Sequence, residues 1–242
     1  MQRQWNSYGI THTGNKRSHN EDAYLNLPQH RIWLVADGMG GHTAGDVASR
    51  MVVDGLKSYS STSLLGRNAQ YIRQQFHEVN DKLVELAGDD ENKVIGCTVA
   101  ALIVHRAHSV CLWAGDSRIY RYRHGILKQI TRDHSELDEL LEKGIPLEEA
   151  LRSPYAQTIT RAIGASTRLA VDAQITEIWN EDVYVLCSDG LNKELTDEEI
   201  SEVLASHTPE DSVPVMLQMA LQRKGRDNIT IMTVYQETAQ PP

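Results

Sequence analysis

An α+β fold, with two mainly antiparallel sheets packed face to face between outer layers of helices, is what this 242-residue sequence predicts. Three observations carry that prediction. Short apolar or alternating runs of strand length recur at 8–13, 31–36, 97–105, 109–114, 119–123, 126–131, 173–178, 183–187 and 228–235. Several neighbours are joined by links of hairpin length, at 105–109 and 124–125, which connect antiparallel rather than parallel strands. Helical spacing comes in pairs beside two groups of strands, the pattern of an α-β-β-α sandwich in four layers.

The helical stripes are Ala48, Met51, Val52 and Gly55; Ile72, Phe76, Val79, Leu83 and Leu86; Ile200, Val203 and Leu204; and Met216, Met219 and Ala220. Thr196 and Glu199 have the spacing of a capping box and set the start of the third. The segment 136–164 is polar, contains Pro146 and Pro154 and supports only short helical pieces, so it reads as a flap over a site. With no repeats and no low-complexity tract, residues 1–236 form one expected domain and 237–242 a tail.

Composition narrows the function classes. Acidic side chains outnumber basic ones 33 to 24, for a net charge of -9, and the basic residues form no extended block. Nucleic acid and anionic membranes would be repelled on average. No apolar run approaches the roughly 20 residues of a membrane span, and the N-terminus lacks the apolar core of a signal peptide. A cytoplasmic monomer is expected. Cys97, Cys111 and Cys187 lie in apolar runs without a C-x-x-C pair, as reduced core residues do.

Apolar runs end three times in aspartate beside a small residue, at Asp37-Gly38, Asp116-Ser117 and Asp189-Gly190, and Asp227 stands just before the last run. Singly, each reads as a turn. Strand ends in shared sheets, however, can bring several carboxylates close enough to repel one another unless protons or cations intervene. Carboxylates without thiolates or a histidine pair suit hard cations such as Mg2+ or Mn2+. Upstream, Arg17-Ser18-His19-Asn20-Glu21-Asp22 is either a solvated loop or a segment in which Arg17 holds a phosphate dianion while Glu21 and Asp22 orient water.

Six segments together, Arg17 to Asp22, Val35-Ala36-Asp37-Gly38-Met39-Gly40-Gly41-His42, Gly96-Cys97-Thr98, Ala114-Gly115-Asp116-Ser117-Arg118, Ser188-Asp189-Gly190-Leu191 and Gly225-Arg226-Asp227-Asn228, resemble in order the motifs of the bacterial metal-dependent protein phosphatases of the phosphatase-2C family. The resemblance covers nearly the whole chain and implies the same four-layer sandwich. It implies that Asp37 bridges two Mn2+ or Mg2+ ions, that Asp189 and Asp227 complete the first site, and that the Gly38 carbonyl joins the second. Glu21 would reach the second ion through water, and Asp22 and Asn228 would stand behind these ligands. Asp116 with Asp189 resembles the third-metal site of bacterial members, and Arg17 the phosphate-binding arginine. Paired cations of this kind activate a water for in-line attack on phosphorus. In eukaryotic relatives a histidine proposed as general acid often follows Asp-Gly; Met39 stands here, so the acid is unassigned, with metal-bound water a candidate, and His42, a few residues on, either folds back toward the site or serves a helix start or packing.

The residues exclude other phosphatase chemistries. The position six after each cysteine is Ile103, Ser117 or Lys193, so there is no C-x5-R loop, and no D-x-D pair occurs. The stretch 38–45 lacks the G-K-[ST] ending of a nucleotide-binding loop. Two alternatives stay open: a two-metal phosphodiesterase or nuclease, and a catalytically inactive binding module. By analogy, the substrates are phosphorylated proteins, including a bacterial serine/threonine kinase or its targets in a signalling or secretion-system pathway.

Overall fold

The computed structural model describes residues 4–40, 44–88 and 94–236. Two antiparallel sheets form its centre. The first holds β1 (Trp5–His12), β7 (Arg118–Arg123), β8 (Ile126–Gln129), β10 (Val183–Cys187) and β11 (Ile229–Gln236) in the order β1-β11-β10-β7-β8. The second holds β2 (Asp22–Leu27), β3 (Ile32–Met39), β5 (Val99–His105), β6 (His108–Ala114) and β9 (Asp172–Glu177) in the order β2-β3-β5-β6-β9, with the short β4 (Gly96–Cys97) beside β3. The sandwich expected from strand-length runs and paired helices is the fold observed.

Burial on both faces explains why the central strands read as unbroken apolar runs. In β3, Ile32, Leu34 and Ala36 face α1 (Ala44–Leu56) and α2 (Leu65–Ala87), while Trp33 and Val35 point between the sheets. β5 alternates likewise, with Ala101 and Ile103 toward the helices and Ala100 and Leu102 inward. On the other sheet, Val185, Cys187, Ile229 and Ile231 pack against α6 (Asp197–Ser206) and α7 (Pro209–Arg223), and Tyr184, Leu186, Met232 and Val234 fill the space between sheets. All three cysteines are free and buried.

Three details differ from expectation. β2 is absent from the sequence pattern because only Asp22 and Leu25 of its six residues are buried, which leaves almost no alternation to read. β3 does not stop at Ala36: it continues through Asp37-Gly38, where Gly38 pairs with Cys97 of β4 and its N–H donates to the Glu21 carbonyl at 3.2 Å. An Asp-Gly pair that reads locally as a turn is held extended by partners distant in sequence. Leu86, in the last turn of α2, is exposed rather than part of its buried stripe.

Within 136–164, α3 (Glu136–Glu142) and α4 (Leu147–Ala150) are followed by an irregular stretch that folds back onto the start of α3, through Glu136 N–H to Thr158 O (2.9 Å) and Leu137 N–H to Ala156 O (3.1 Å). No helix among the described residues is long and apolar enough to cross a membrane. His42 and the expected tail 237–242 lie outside the described residues.

The capping box at α6 is formed: Thr196 Oγ1 accepts from the Glu199 N–H, and Glu199 Oε2 accepts from the Thr196 N–H at 2.9 Å. Thr196→Ala should lower unfolding stability by about 1 kcal/mol in urea denaturation with an unchanged m-value; no loss would mean the box contributes nothing here.

Candidate active site

Asp22 opens β2 and lies in register with Asp37 of β3, so the two carboxylates start from directly paired backbone positions. The chain can pass this point only with glycine after Asp37. A Cβ on Gly38 would collide with the Gly45 carbonyl of α1 and stand 2.6 Å from the Glu21 carbonyl oxygen. Glu21 is held in turn: its carbonyl accepts from Ser49 Oγ at 2.6 Å, and its N–H donates to Asn228 Oδ1 at 2.9 Å. Asn228 also donates through Nδ2 to the Thr13 and His19 carbonyls, both at 2.9 Å, and so binds the segment 13–21 to the start of β11.

The other carboxylates arrive from the ends of strands. Asp189 begins α5 (Asp189–Asn192) just after β10, and Gly190 lies so close to the Asn228 carbonyl that a Cβ would collide with it. Asp116 follows β6, and Asp227 precedes β11. With Arg17, Glu21, Gly38, Met39 and Asn228, these three and Asp37 line one cavity of about 600 Å3. Thus Arg17, Glu21, Asp37, Gly38, Asp116, Asp189, Asp227 and Asn228 are gathered at one place. Asp22 is buried behind them, accepting from Ser188 Oγ at 2.8 Å and Thr230 Oγ1 at 2.6 Å.

Burial and mutual repulsion dominate the electrostatics. Desolvation, reinforced by neighbouring aspartates, pushes Asp22 and Asp116 up to about 7. It drives Asp37 well above the ordinary carboxylate range, with repulsion from Asp22 next in weight. Asp189 is also raised by burial, although Lys193 opposes the shift. Asp227 is the exception: burial pushes it up, but the Arg17 and Lys193 cations outweigh that and leave it lowered.

Four buried carboxylate oxygens, Glu21 Oε1, Asp22 Oδ1, Asp116 Oδ1 and Asp189 Oδ1, have no hydrogen-bond partner. Glu21, Asp116 and Asp189 line the cavity, and unpartnered carboxylate oxygens there are the donor chemistry of a hard divalent cation, so the residues fit the group. They do not form a finished chelate: among the described residues no three such side chains converge on one point. Protein cations stand between them instead. Arg17 forks onto Asp227 through Nε (2.9 Å) and Nη2 (3.0 Å), and the Lys193 ammonium contacts both Asp189 and Asp227.

Beside the expected residues, Thr98, Gln157 and Lys193 line the cavity, and Ser188 and Thr230 hold Asp22. Lys193 carried a signal, since it follows Asp189 by four residues, one helical turn. Ser188 adjoins Asp189 in the segment Ser188-Asp189-Gly190-Leu191, which says nothing of its bond to Asp22. Thr230, deep in β11, gave no signal, because its hydroxyl meets Asp22 only through tertiary packing.

The raised carboxylates fix a pH dependence. A carboxyl raised in the folded state still holds its proton where the unfolded chain has released it, so stability is lost as pH climbs from the ordinary carboxylate range near ~4 to about 7 for Asp22 and Asp116. Asp227, lowered, acts in the opposite sense only below that window, and His105 and His134, lowered by burial, oppose the trend within it but are outnumbered by the raised carboxyls of Asp22, Asp37, Asp116 and Asp189. In chelator, thermal unfolding should therefore come at falling temperature from about pH 5 to about pH 7.5, and Mn2+ should restore more at the upper end. A melting temperature that rises across the window would contradict this.

Comparison with known proteins agrees with the geometry. The family described as "Protein phosphatase 2C" matches residues 9–226. The Serine/threonine phosphatase stp of Listeria monocytogenes is 35% identical over 240 residues, covering 95% of both chains. The structure described as "PppA, a key regulatory component of T6SS in Pseudomonas aeruginosa" superposes with a TM-score of 0.89 at 37% identity, covering 96% of this chain and 98% of that one. The catalytic domain of serine threonine protein phosphatase PstP, solved with two manganese ions, superposes with a TM-score of 0.81 at 28% identity, covering 97% of this chain and 99% of that one. With a double sheet that gathers carboxylates from β3, β6, β10 and β11 round one cavity, this chain belongs to the protein phosphatase 2C family.

Proposed function

We propose that the chain is a metal-dependent serine/threonine phosphoprotein phosphatase in which Asp37, Asp189 and Asp227 are the main ligands of two Mn2+ or Mg2+ ions. The observation that carries this reading is the convergence of Asp37, Asp116, Asp189 and Asp227, from separate strand ends, on one cavity with Arg17 at its side. When bound, such ions would supply Lewis acidity and make a water nucleophilic enough for in-line attack on phosphorus. The Gly38 carbonyl, and Glu21 through water, would hold the second ion, and Asp116 with Asp189 would hold a third more weakly.

The residues of the chain do the rest. Arg17, oriented by Asp227, presents its guanidinium beside the cavity, where it can hold the phosphoryl dianion and offset charge as the seryl or threonyl oxygen departs. Asp22 and Asn228 hold the segment carrying Glu21 against β11. Gln157 and Ile159 of the segment 136–164 line the same cavity, in keeping with a flap under which the phosphorylated side chain enters. The stp and PstP relatives are serine/threonine phosphatases, and the PstP structure holds manganese, which supports this choice of substrate and cation. A cytoplasmic monomer opposing a bacterial serine/threonine kinase, in a pathway related to that of PppA, is the physiological reading we favour.

Hydrolysis of p-nitrophenyl phosphate and of a phosphothreonine peptide should require Mn2+, stop in chelator, and fall at least roughly 100-fold in Asp189→Ala; equal rates in all conditions would sink the mechanism. Faster turnover of bis-p-nitrophenyl phosphate would mark a phosphodiesterase instead. Asp116→Ala should lower turnover about tenfold while leaving two Mn2+ bound at equilibrium. Loss of all metal binding in that variant would make Asp116 part of the core pair.

A further inference from the structure

The Lys193 ammonium contacts Asp189 and lies 3.3 Å from Asp227 Oδ2. These are two of the three carboxylates proposed above as the main metal ligands, and an ammonium group and a divalent cation cannot both lie between them. The contact is built into the backbone. Lys193 caps α5 one turn after Asp189, and its N–H donates to the Asp189 carbonyl at 2.9 Å. Its own carbonyl accepts from Arg226 Nη2 at 2.7 Å, and Arg226 Nε holds Glu194 at 2.8 Å, immediately before Asp227. The stem thus springs from a point braced to both aspartates.

The far end of the side chain is not trapped. Lys193 is 38% exposed, against 10% for Asp189 and 18% for Asp227. It also lines a second cavity of about 400 Å3 with Asp116, Gln157 and Asn192, so the ammonium can leave the two aspartates without leaving the acidic surroundings. Asp116 and Asn192, which line it, each keep a buried side-chain oxygen without a hydrogen-bond partner.

We infer that Lys193 is a tethered counter-ion that competes with a divalent cation for Asp189 and Asp227, weakening metal uptake while stabilising the metal-free protein. A group that neutralises the same carboxylates as the metal lowers apparent metal affinity by mass action, because part of the binding free energy is spent displacing it. The inference rests on the two-metal reading of Asp189 and Asp227.

Calorimetric titration of the chelator-treated full chain with MnCl2, with thermal unfolding in chelator, tests it on wild type, Lys193→Met, Lys193→Gln, Lys193→Arg and Asp189→Asn. Removing the charge in the Met and Gln variants should tighten the strongest Mn2+ binding about tenfold and lower the metal-free melting temperature. Arginine, keeping the charge, should stay within about threefold of wild type. Should the Met and Gln variants fold only after Mn2+ is added, that too supports the counter-ion role. If the Met and Gln variants bind Mn2+ no more tightly than wild type, while Asp189→Asn loses binding, the lysine inference alone is overturned. Wild type that takes up no Mn2+, or Asp189→Asn that binds as wild type does, overturns the metal reading and this inference with it.

Discussion

Everything around the cavity answers one constraint: too many carboxylates share too little water. Asp22 and Asp37 leave the backbone at paired positions of adjacent strands, and Asp116, Asp189 and Asp227 come within electrostatic reach of them. Left alone, such a group must take up protons or fail to pack. Each one is managed differently. Asp22 receives two hydroxyls, Asp227 an arginine fork and a lysine, Asp189 the same lysine, and Asp37 and Asp116 raised affinity for protons. A site that needs positive charge merely to be folded is prepared to bind cations, and so stability and function draw on the same interaction.

The sandwich is what makes this crowding tolerable. β3 and β10 run through the middle of their sheets with both faces buried, so their ends are fixed by packing on two sides. Carboxylates mounted on such ends cannot drift apart to relieve repulsion. The glycines beside them serve the same purpose from the backbone side: Gly38 and Gly190 let Gly45 and Asn228 approach where any side chain would intrude. Rigidity in the apolar layers is therefore converted into electrostatic preorganisation at their rim.

The sheets were legible in the sequence because burial on both faces leaves long apolar runs, and the helices because one-sided burial leaves a stripe. β2 was not legible, for the same reason reversed: at a sheet edge, with two buried positions in six, its residues carry no period. The site residues were legible as a set, through their order along the chain, although each aspartate alone looked like a turn.

By itself the sequence determined the two-sheet architecture, through hydrophobic period, and pointed through residue type and motif order to the aspartates that meet round the cavity. Tertiary structure alone decided how those charges are balanced. That Asp37-Gly38 is strand rather than turn depends on Cys97 and Glu21. That Thr230 serves Asp22 depends on two sheets meeting across a separation of 208 residues. Lys193 shows the same limit from the other side. One helical turn places it over Asp189, but only the packing of α5 against β11 brings Asp227 within its reach, because distances between charges are set by the fold and not by spacing along the chain.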